Sequence, residues 1–378
     1  MDLTSKETLQ VSKFRDKTPC FLFDSNKFLS VSKSLNEAFS KLPIIIAYSV
    51  KTNNSMIILK TILKQKQIKF LEICSKDEYK KALKAGAKYN QIIYNGVLAD
   101  VYYRLKIAMN GGLVNVDSYQ MYKKLSNFAQ KKKTKIKIGV RINIDIGNGY
   151  SRFGIIPQSK EFDDFLTDLK SDKYVRLVGF NFHRYGGRDL KGWNKKTSFI
   201  YSFLKSLDKD ILSKIEYIDF GSNFYGDMDK RLSVQFSDRI ISFTKYAAII
   251  KSMLESVFDI LPTIIIEPGT PVIANCVSLL AKVDSIKNET AIVDASIFDI
   301  GFICKTKNVP FDVISSESNK AVFVKELHGY ACTENDIIEK DLNLTMADGD
   351  YVLFRNCGAY SYSNDSDFIC KRLKLYKI

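Results

Sequence analysis

Between positions 44 and 267 the chain alternates eight short apolar runs with stretches of helical periodicity. The runs are IIIAYSV (44–50), KFLEIC (69–74), QIIYN (91–95), GLVNV (112–116), KIGVRIN (137–143), LVGFNFH (177–183), IEYIDF (215–220) and TIIIE (263–267). Runs of this length, apolar without strict alternation, suit parallel strands covered on both faces. The intervening stretches carry helix signals. SKDEYKKALKAG has Ser75 as N-cap, Glu78 as the second half of a capping box and Gly86 as C-cap. SYQMYKKLSNFAQ starts at Asp117 or Ser118, and ISFTKYAAIIKSMLESVF precedes the last run. Eight such alternations argue for an α/β fold of the (β/α)8 TIM-barrel type rather than an open sheet.

After Pro268 the texture changes. PVIANCVSLLAKVDSI, ETAIVDASI, KAVFVKEL and DYVLFRNCGAY read as strands, with a tight turn at MADGD (346–350). The expected organisation is an N-terminal segment 1–25, a barrel 26–268 and a C-terminal β domain 269–378. The strand-like TPCFLFD at the end of the first segment has no place in the eightfold count and is assigned to the β domain. A length of 378 residues fits, since a barrel takes roughly 250 and a small second domain roughly 100.

Composition excludes several classes. With 46% hydrophobic and 26% charged residues the chain is neither disordered nor fibrous. No apolar run approaches the roughly 18 residues of a membrane span, and the N-terminus lacks a signal-peptide core. A cytoplasmic protein without a membrane partner is expected. Seven scattered cysteines with no CxxC pair, and two histidines, leave no disulfide framework and no metal site. The net charge of +15 is spread along the chain and reads as compositional bias rather than a nucleic-acid surface. The one dense run, KKKTK at 131–135, reads as a solvated loop.

Function in a barrel sits at the C-terminal strand ends. There the sequence places Lys51 after strand one, Glu72 on strand two, Arg141 on strand five, His183 on strand six, Gly221-Ser222-Asn223 after strand seven and Glu267-Pro268-Gly269 after strand eight. A lysine leaving a fully apolar strand is suited to act as a desolvated amine. The loops after strands seven and eight are where barrels most often hold a phosphate. An amine, a phosphate cradle, a lone carboxylate and a lone imidazole together suit pyridoxal 5'-phosphate held as an imine.

The motifs also resemble a family, the fold-type III pyridoxal-phosphate decarboxylases that act on diaminopimelate, ornithine, arginine or lysine. AYSVKTN resembles YAVKAN, LEICSKDE resembles FDVAS-x-x-E, and SRFG (151–154) resembles S-K-F-G. FNFH resembles the H-x-H-x-G strand, and EPG is the motif facing the cofactor nitrogen. GYACTENDII (329–338) resembles G-P-x-C-x-x-x-D, and NCGAYS (356–361) resembles D-A-G-A-Y. The resemblance covers about residues 18–370 in order.

It implies a barrel of the alanine-racemase-like type and a role for each residue. Lys51 would hold the cofactor, Glu267 would keep its ring nitrogen protonated, and His183 would stack on the ring. Glu72 and Arg141 would pair behind Lys51. Gly221, Ser222, Asn223, Gly269 and Tyr360 would bind the cofactor. Cys332 would return a proton to the α-carbon, and Thr333, Glu334, Asp336 and Tyr360 would meet the substrate. Cys74 and Cys357 read as packing. Three departures stand out. Gly221-Ser222-Asn223 replaces a glycine triplet, Thr270 replaces an arginine, and Thr333 stands where an acid usually reads a distal amine. Arg184 or Arg188 would restore the missing positive charge. The departures argue against diaminopimelate and ornithine themselves. They favour a specialised decarboxylase of an amino acid, free or linked to a carrier protein. The partner expected is a second copy in a head-to-tail homodimer with shared sites. The alternatives are a racemase of the same fold type and a non-catalytic regulatory homologue. A racemase would want a tyrosine base opposite Lys51, and a regulatory homologue should have lost Lys51 or Cys332.

Overall fold

The eight apolar runs form eight parallel strands in the computed structural model, which describes residues 11–301, 307–316, 320–365, 367 and 369–378. Residues 1–10 of the expected N-terminal segment lie outside the described residues. The strands are β2 (Ile44–Ser49), β3 (Phe70–Ile73), β4 (Ile92–Tyr94), β5 (Leu113–Val116), β6 (Ile136–Arg141), β7 (Val175–Asn181), β8 (Tyr217–Asp219) and β9 (Thr263–Ile266). They pair in chain order, and β9 closes on β2 with Ile44 opposite Ile264. Helices α1 (Ser25–Phe39), α2 (Met56–Lys64), α3 (Lys76–Ala85), α4 (Val101–Met109), α5 (Tyr119–Lys131), α6 (Lys160–Ser171), α7 (Leu190–Ser206) and α8 (Phe243–Glu255) form the outer ring, with α1 packed beside α8. The β-branched runs thus bury both faces, one against helices and one inside the barrel.

The barrel interior is filled by Ala47, Ile93, Val178, Tyr217 and Ile265. Tyr217 reaches across it because Gly139 and Gly179 leave room; a methyl at either would collide with the tyrosine ring. Its hydroxyl donates to Asn115 Oδ1 at 2.6 Å, which begins the polar layer above.

Local signals behave as their chemistry dictates. Ser75 Oγ accepts from Glu78 N at 3.2 Å, and Gly86 ends α3 at φ +105°. Glu78 does not complete the box on Ser75. Its carboxylate reaches one residue further back and accepts from Cys74 N at 2.6 Å.

Beyond β9 the segment Thr270–Ile273 makes one helical turn, where PVIA reads as strand in the sequence. An antiparallel-rich sheet follows. Its long strand β10 (Val277–Lys287) pairs with β11 (Thr290–Val293), and β17 (Tyr351–Phe354) lies between β10 and β12 (Phe311–Ile314). The short strands β13 (Val322–Val324) and β16 (Leu344–Met346) pair with each other, and β14 (Glu326–His328) joins β11 to β15 (Ile337–Glu339). The N-terminal β1 (Cys20–Phe23) pairs antiparallel with β10 and parallel with β18 (Lys374–Lys377).

One buried cation fixes the turn after β4. Arg104 on α4 is fully buried and donates to the carbonyls of Tyr94, Asn95, Gly96, Leu98 and Asn115. Arg104→Ala leaves those carbonyls without a donor and opens a cavity. It should lower the unfolding free energy by about 3 kcal/mol or more. Urea unfolding followed by circular dichroism measures this, and a loss below about 1 kcal/mol would show that water replaces the guanidinium.

Candidate active site

The C-terminal ends of the strands open into a cleft of about 740 Å³. Lys51, His183, Ser222, Asn223, Glu267, Gly269, Thr270 and Tyr360 all line it. Lys51 stands on the turn after β2. Its Nζ lies 2.6 Å from Glu72 Oε2, 2.7 Å from Ser49 Oγ and 3.7 Å from Cys74 Sγ. Ser49 Oγ also donates to Glu72 Oε2, at 2.6 Å, and Cys74 Sγ lies 2.9 Å from Glu72 Oε1. Burial alone would lower the Lys51 amine. Glu72 above all, by its charge and its bond, outweighs this, with smaller contributions from Cys74 and Glu267, and holds the amine well above its usual value. Burial would raise Glu72, but the Lys51 charge and the bonds from Cys74, Lys51 and Ser49 hold it low. The pair is therefore ionised as it stands. Cys74 belongs to this cluster rather than to packing alone.

Glu267 forms part of the cleft floor and is held by Asn95, whose Nδ2 donates to Oε1 at 2.6 Å. Its carboxyl also bonds that of Asp219 at the end of β8. Burial, then the charges of Asp219 and Glu72, push Glu267 well above the carboxylate range. Burial raises Asp219 as well. Two buried carboxyls in contact cannot both ionise at neutral pH, so they share a proton. Asp219 is further fixed by Asn181 Nδ2 at 2.7 Å and Gly221 N at 2.8 Å. Asn115 Nδ2 donates to Asn95 Oδ1 at 2.8 Å, and Asn95 Nδ2 lies 3.3 Å from Glu72 Oε1. One network thus links the Lys51 partner to the Glu267 partner.

His183 accepts from Ser222 N at Nδ1, 3.3 Å. Burial first, then the charges of Arg141, Lys51 and Lys196, push its pKa well below the usual value. The ring is neutral. Gly221 has φ +62°, and a side chain there would drive into the imidazole.

Several expected contacts are not made. Arg141 does not meet Glu72. It pairs with Asp117 at 3.3 Å and donates to His183 O at 3.0 Å, because Asp117 follows the neighbouring strand while Glu72 lies three strands away. Gly221 and Ser222 do not offer N–H groups to a ligand, since these are bonded to Asp219 and His183. The N–H groups of Asn223, Phe224, Gly269 and Thr270 have no hydrogen-bond partner among the described residues. Asp336 is 2% exposed, and its carboxylate accepts from Ser296 Oγ, Ile297 N and Ala331 N. It caps a turn and has no free oxygen edge for an amine. Cys332, Thr333 and Glu334 are exposed and do not line this cleft. Arg184 donates to Gly149 O at 2.9 Å, outside the cleft, whereas Arg188 lines it.

The donor set suits a phosphorylated pyridine aldehyde. Two cleft residues, Thr52 and Asn356, carry buried oxygens with no partner, Oγ1 and Oδ1. The N–H groups of Asn223, Phe224, Gly269 and Thr270, just past β8 and β9, have no partner among the described residues. The Asp219–Glu267 pair shares one proton and so carries a negative charge on the floor, where the charges of Lys51 and Lys196 act on it. Tyr360 sits at φ +66°, rare for a tyrosine, with its N–H on Thr52 O at 2.8 Å.

Residues 26–274 match the profile of the pyridoxal-dependent decarboxylases, pyridoxal-binding domain. Diaminopimelate decarboxylase of Helicobacter pylori is 25% identical over 372 residues, covering 93% of this chain and 88% of the relative. The crystal structure of a Helicobacter pylori diaminopimelate decarboxylase complexed with L-lysine superposes with a TM-score of 0.83 at 24% identity, over 98% of this chain and 94% of that one. A lysine/ornithine decarboxylase of Vibrio vulnificus complexed with putrescine gives 0.81 at 17% identity, over 100% and 99% of the two chains.

Proposed function

The chain belongs to the pyridoxal-dependent decarboxylases, and on that premise we propose that it removes the α-carboxylate of an amino acid, free or carrier-linked, in a cleft completed by a second copy of itself. The observation that carries this reading is the Lys51–Glu72 ion pair facing a floor made by the Asp219–Glu267 carboxyl pair.

When bound, pyridoxal phosphate accepts the electron pair left by the departing carboxylate. The protein supplies the rest. Lys51 attaches the cofactor, and Glu72 stands 2.6 Å away to take the proton that the amine must shed to become a nucleophile. Glu267 would face the ring nitrogen, with the negative charge it shares with Asp219 and with Asn95 fixing its carboxyl. His183, neutral and fixed by Ser222, would stack on the ring without adding charge. Asn223, Gly269, Thr270 and Tyr360 line the cleft and would hold the phosphate end, and Arg188 adds positive charge at the cleft wall. Cys332 returns a proton to the α-carbon from the partner, with Thr333 and Glu334 beside it. Its exposure in its own chain, away from its own cleft, supports this assignment.

Carbon dioxide release from a panel of amino acids and carrier-linked candidates tests the reaction. With Thr270 and Thr333 in place, meso-diaminopimelate should be a poor substrate, and a kcat/KM of about 10⁴ M⁻¹s⁻¹ or more would overturn that part. Mixing Lys51→Ala with Cys332→Ala tests the shared site. Each alone should be nearly inactive. Random reassortment makes about half the dimers mixed, each with one intact site, so roughly a quarter of wild-type activity should return. Exchange of subunits without recovery would mean that Cys332 serves its own barrel.

A further inference from the structure

Helix α7 buries Trp193, Thr197, Ile200, Phe203 and Leu204 on one face. Position 196 falls in that stripe, where an apolar residue would satisfy the packing. It is a lysine, 2% exposed. Its Nζ donates to Phe220 O at 2.6 Å and stands 4.4 Å from the centre of the Trp193 ring. Among the described residues no carboxylate pairs with it. A buried amine with no ion-pair partner is costly to charge, and such an amine needs a reason to be there.

Its position supplies one. Phe220 immediately precedes Gly221–Phe224, the loop with unbonded N–H groups at Asn223 and Phe224. Helix α7 grips that loop twice, through Lys196 on Phe220 O and through Trp193 Nε1 on Asn223 O at 3.0 Å. The amine therefore stands directly behind the chain that meets the ligand. Resting on the reading of this cleft as a pyridoxal-phosphate site, we propose that Lys196 is the buried counter-charge for the cofactor's phosphate, a positioning residue that charges and fixes the Phe220–Phe224 loop from behind.

The titratable groups around it are Asp219 at the end of β8, Glu267 after β9 and His183 after β7. Burial pushes the amine down to about 7, with the charges of Asp219 and Glu267 pulling the other way. At pH about 8 it is then mostly neutral before binding. A phosphate dianion favours its charged form, so binding should take up as much as about one proton per site. Near pH about 6 the amine is already charged and the uptake should vanish.

The test uses the cofactor-stripped enzyme and two ligands, pyridoxal phosphate and pyridoxal, which differ only in the phosphate. Lys196→Met removes the charge and the donor. Lys196→Gln keeps a donor for Phe220 O without the charge. In both variants the dissociation constant for pyridoxal phosphate should rise at least about tenfold, while that for pyridoxal changes less than about twofold. Calorimetry in two buffers of different ionisation heat should show up to about one more proton taken up by the wild type than by either variant at pH about 8, a difference that vanishes near pH about 6. Equal weakening of both ligands would assign Lys196 a packing role and overturn the proposal. So would wild-type phosphate affinity in Lys196→Gln. If the wild type binds neither ligand, the cofactor reading itself falls, an outcome distinct from a wild type that binds and variants that match it.

Discussion

Replacing Lys51 by alanine should leave a colourless protein and cut decarboxylation by at least about 10³-fold, roughly 4 kcal/mol of barrier. The wild type, reduced with borohydride in the presence of pyridoxal phosphate, should carry a mass tag on the peptide containing Lys51. Among the described residues Lys307 also lines the cleft; its Nζ donates to Gln235 O at 3.1 Å, and no described carboxylate pairs with it. Lys51→Ala also strands Glu72, which is 1% exposed, so Lys51→Arg serves as a second variant that keeps the charge. It should be equally untagged. A tag on Lys307, or colour surviving in both variants, would remove Lys51 from the centre of the site.

Glu267→Gln should bind the cofactor yet lose turnover by about 10²-fold, about 2.7 kcal/mol. The amide cannot carry the negative charge that keeps the pyridine nitrogen protonated. Asp219 would remain, but it sits behind Glu267 and is already committed to Asn181 and Gly221. Near-normal turnover in this variant would show that the strand-eight carboxylate does not face the ring.

Much of the barrel was legible because β-branched runs bounded by helical periodicity have few alternatives. The residues just beyond strand ends were legible for the same reason, and Lys51, His183 and Glu267 converge on one cleft. The polar layer under them was not. Asn95, Asn115, Asn181 and Asp219 sit at the ends of apolar runs, and a run covered on both faces does not reveal which side chains point inward. Ser49 and Cys74 lay beside recognisable motifs, but small side chains two residues from a lysine or glutamate look like packing until the turn brings them together. Arg141 pairs not with Glu72 but with Asp117, an acid just past the end of the adjacent strand, which chain order in a barrel places nearer than a carboxylate three strands away. Asp336 illustrates a general ambiguity. An acid in a short turn is as well suited to capping backbone N–H groups as to binding an amine, and here the backbone takes it.

The Lys51 turn is stitched at three points to the turn and short helix (residues 358–363) that follow β17. Tyr360 N donates to Thr52 O, Asn53 Nδ2 to Gly358 O, and Asn54 N to Ser363 Oγ. The barrel therefore does not own its nucleophile's conformation. A lineage that diversified by trading C-terminal domains between barrels would have to trade this seam as well, residue for residue. Residues 52–54 and 358–363 should drift as a single unit, slower than the strands on either side.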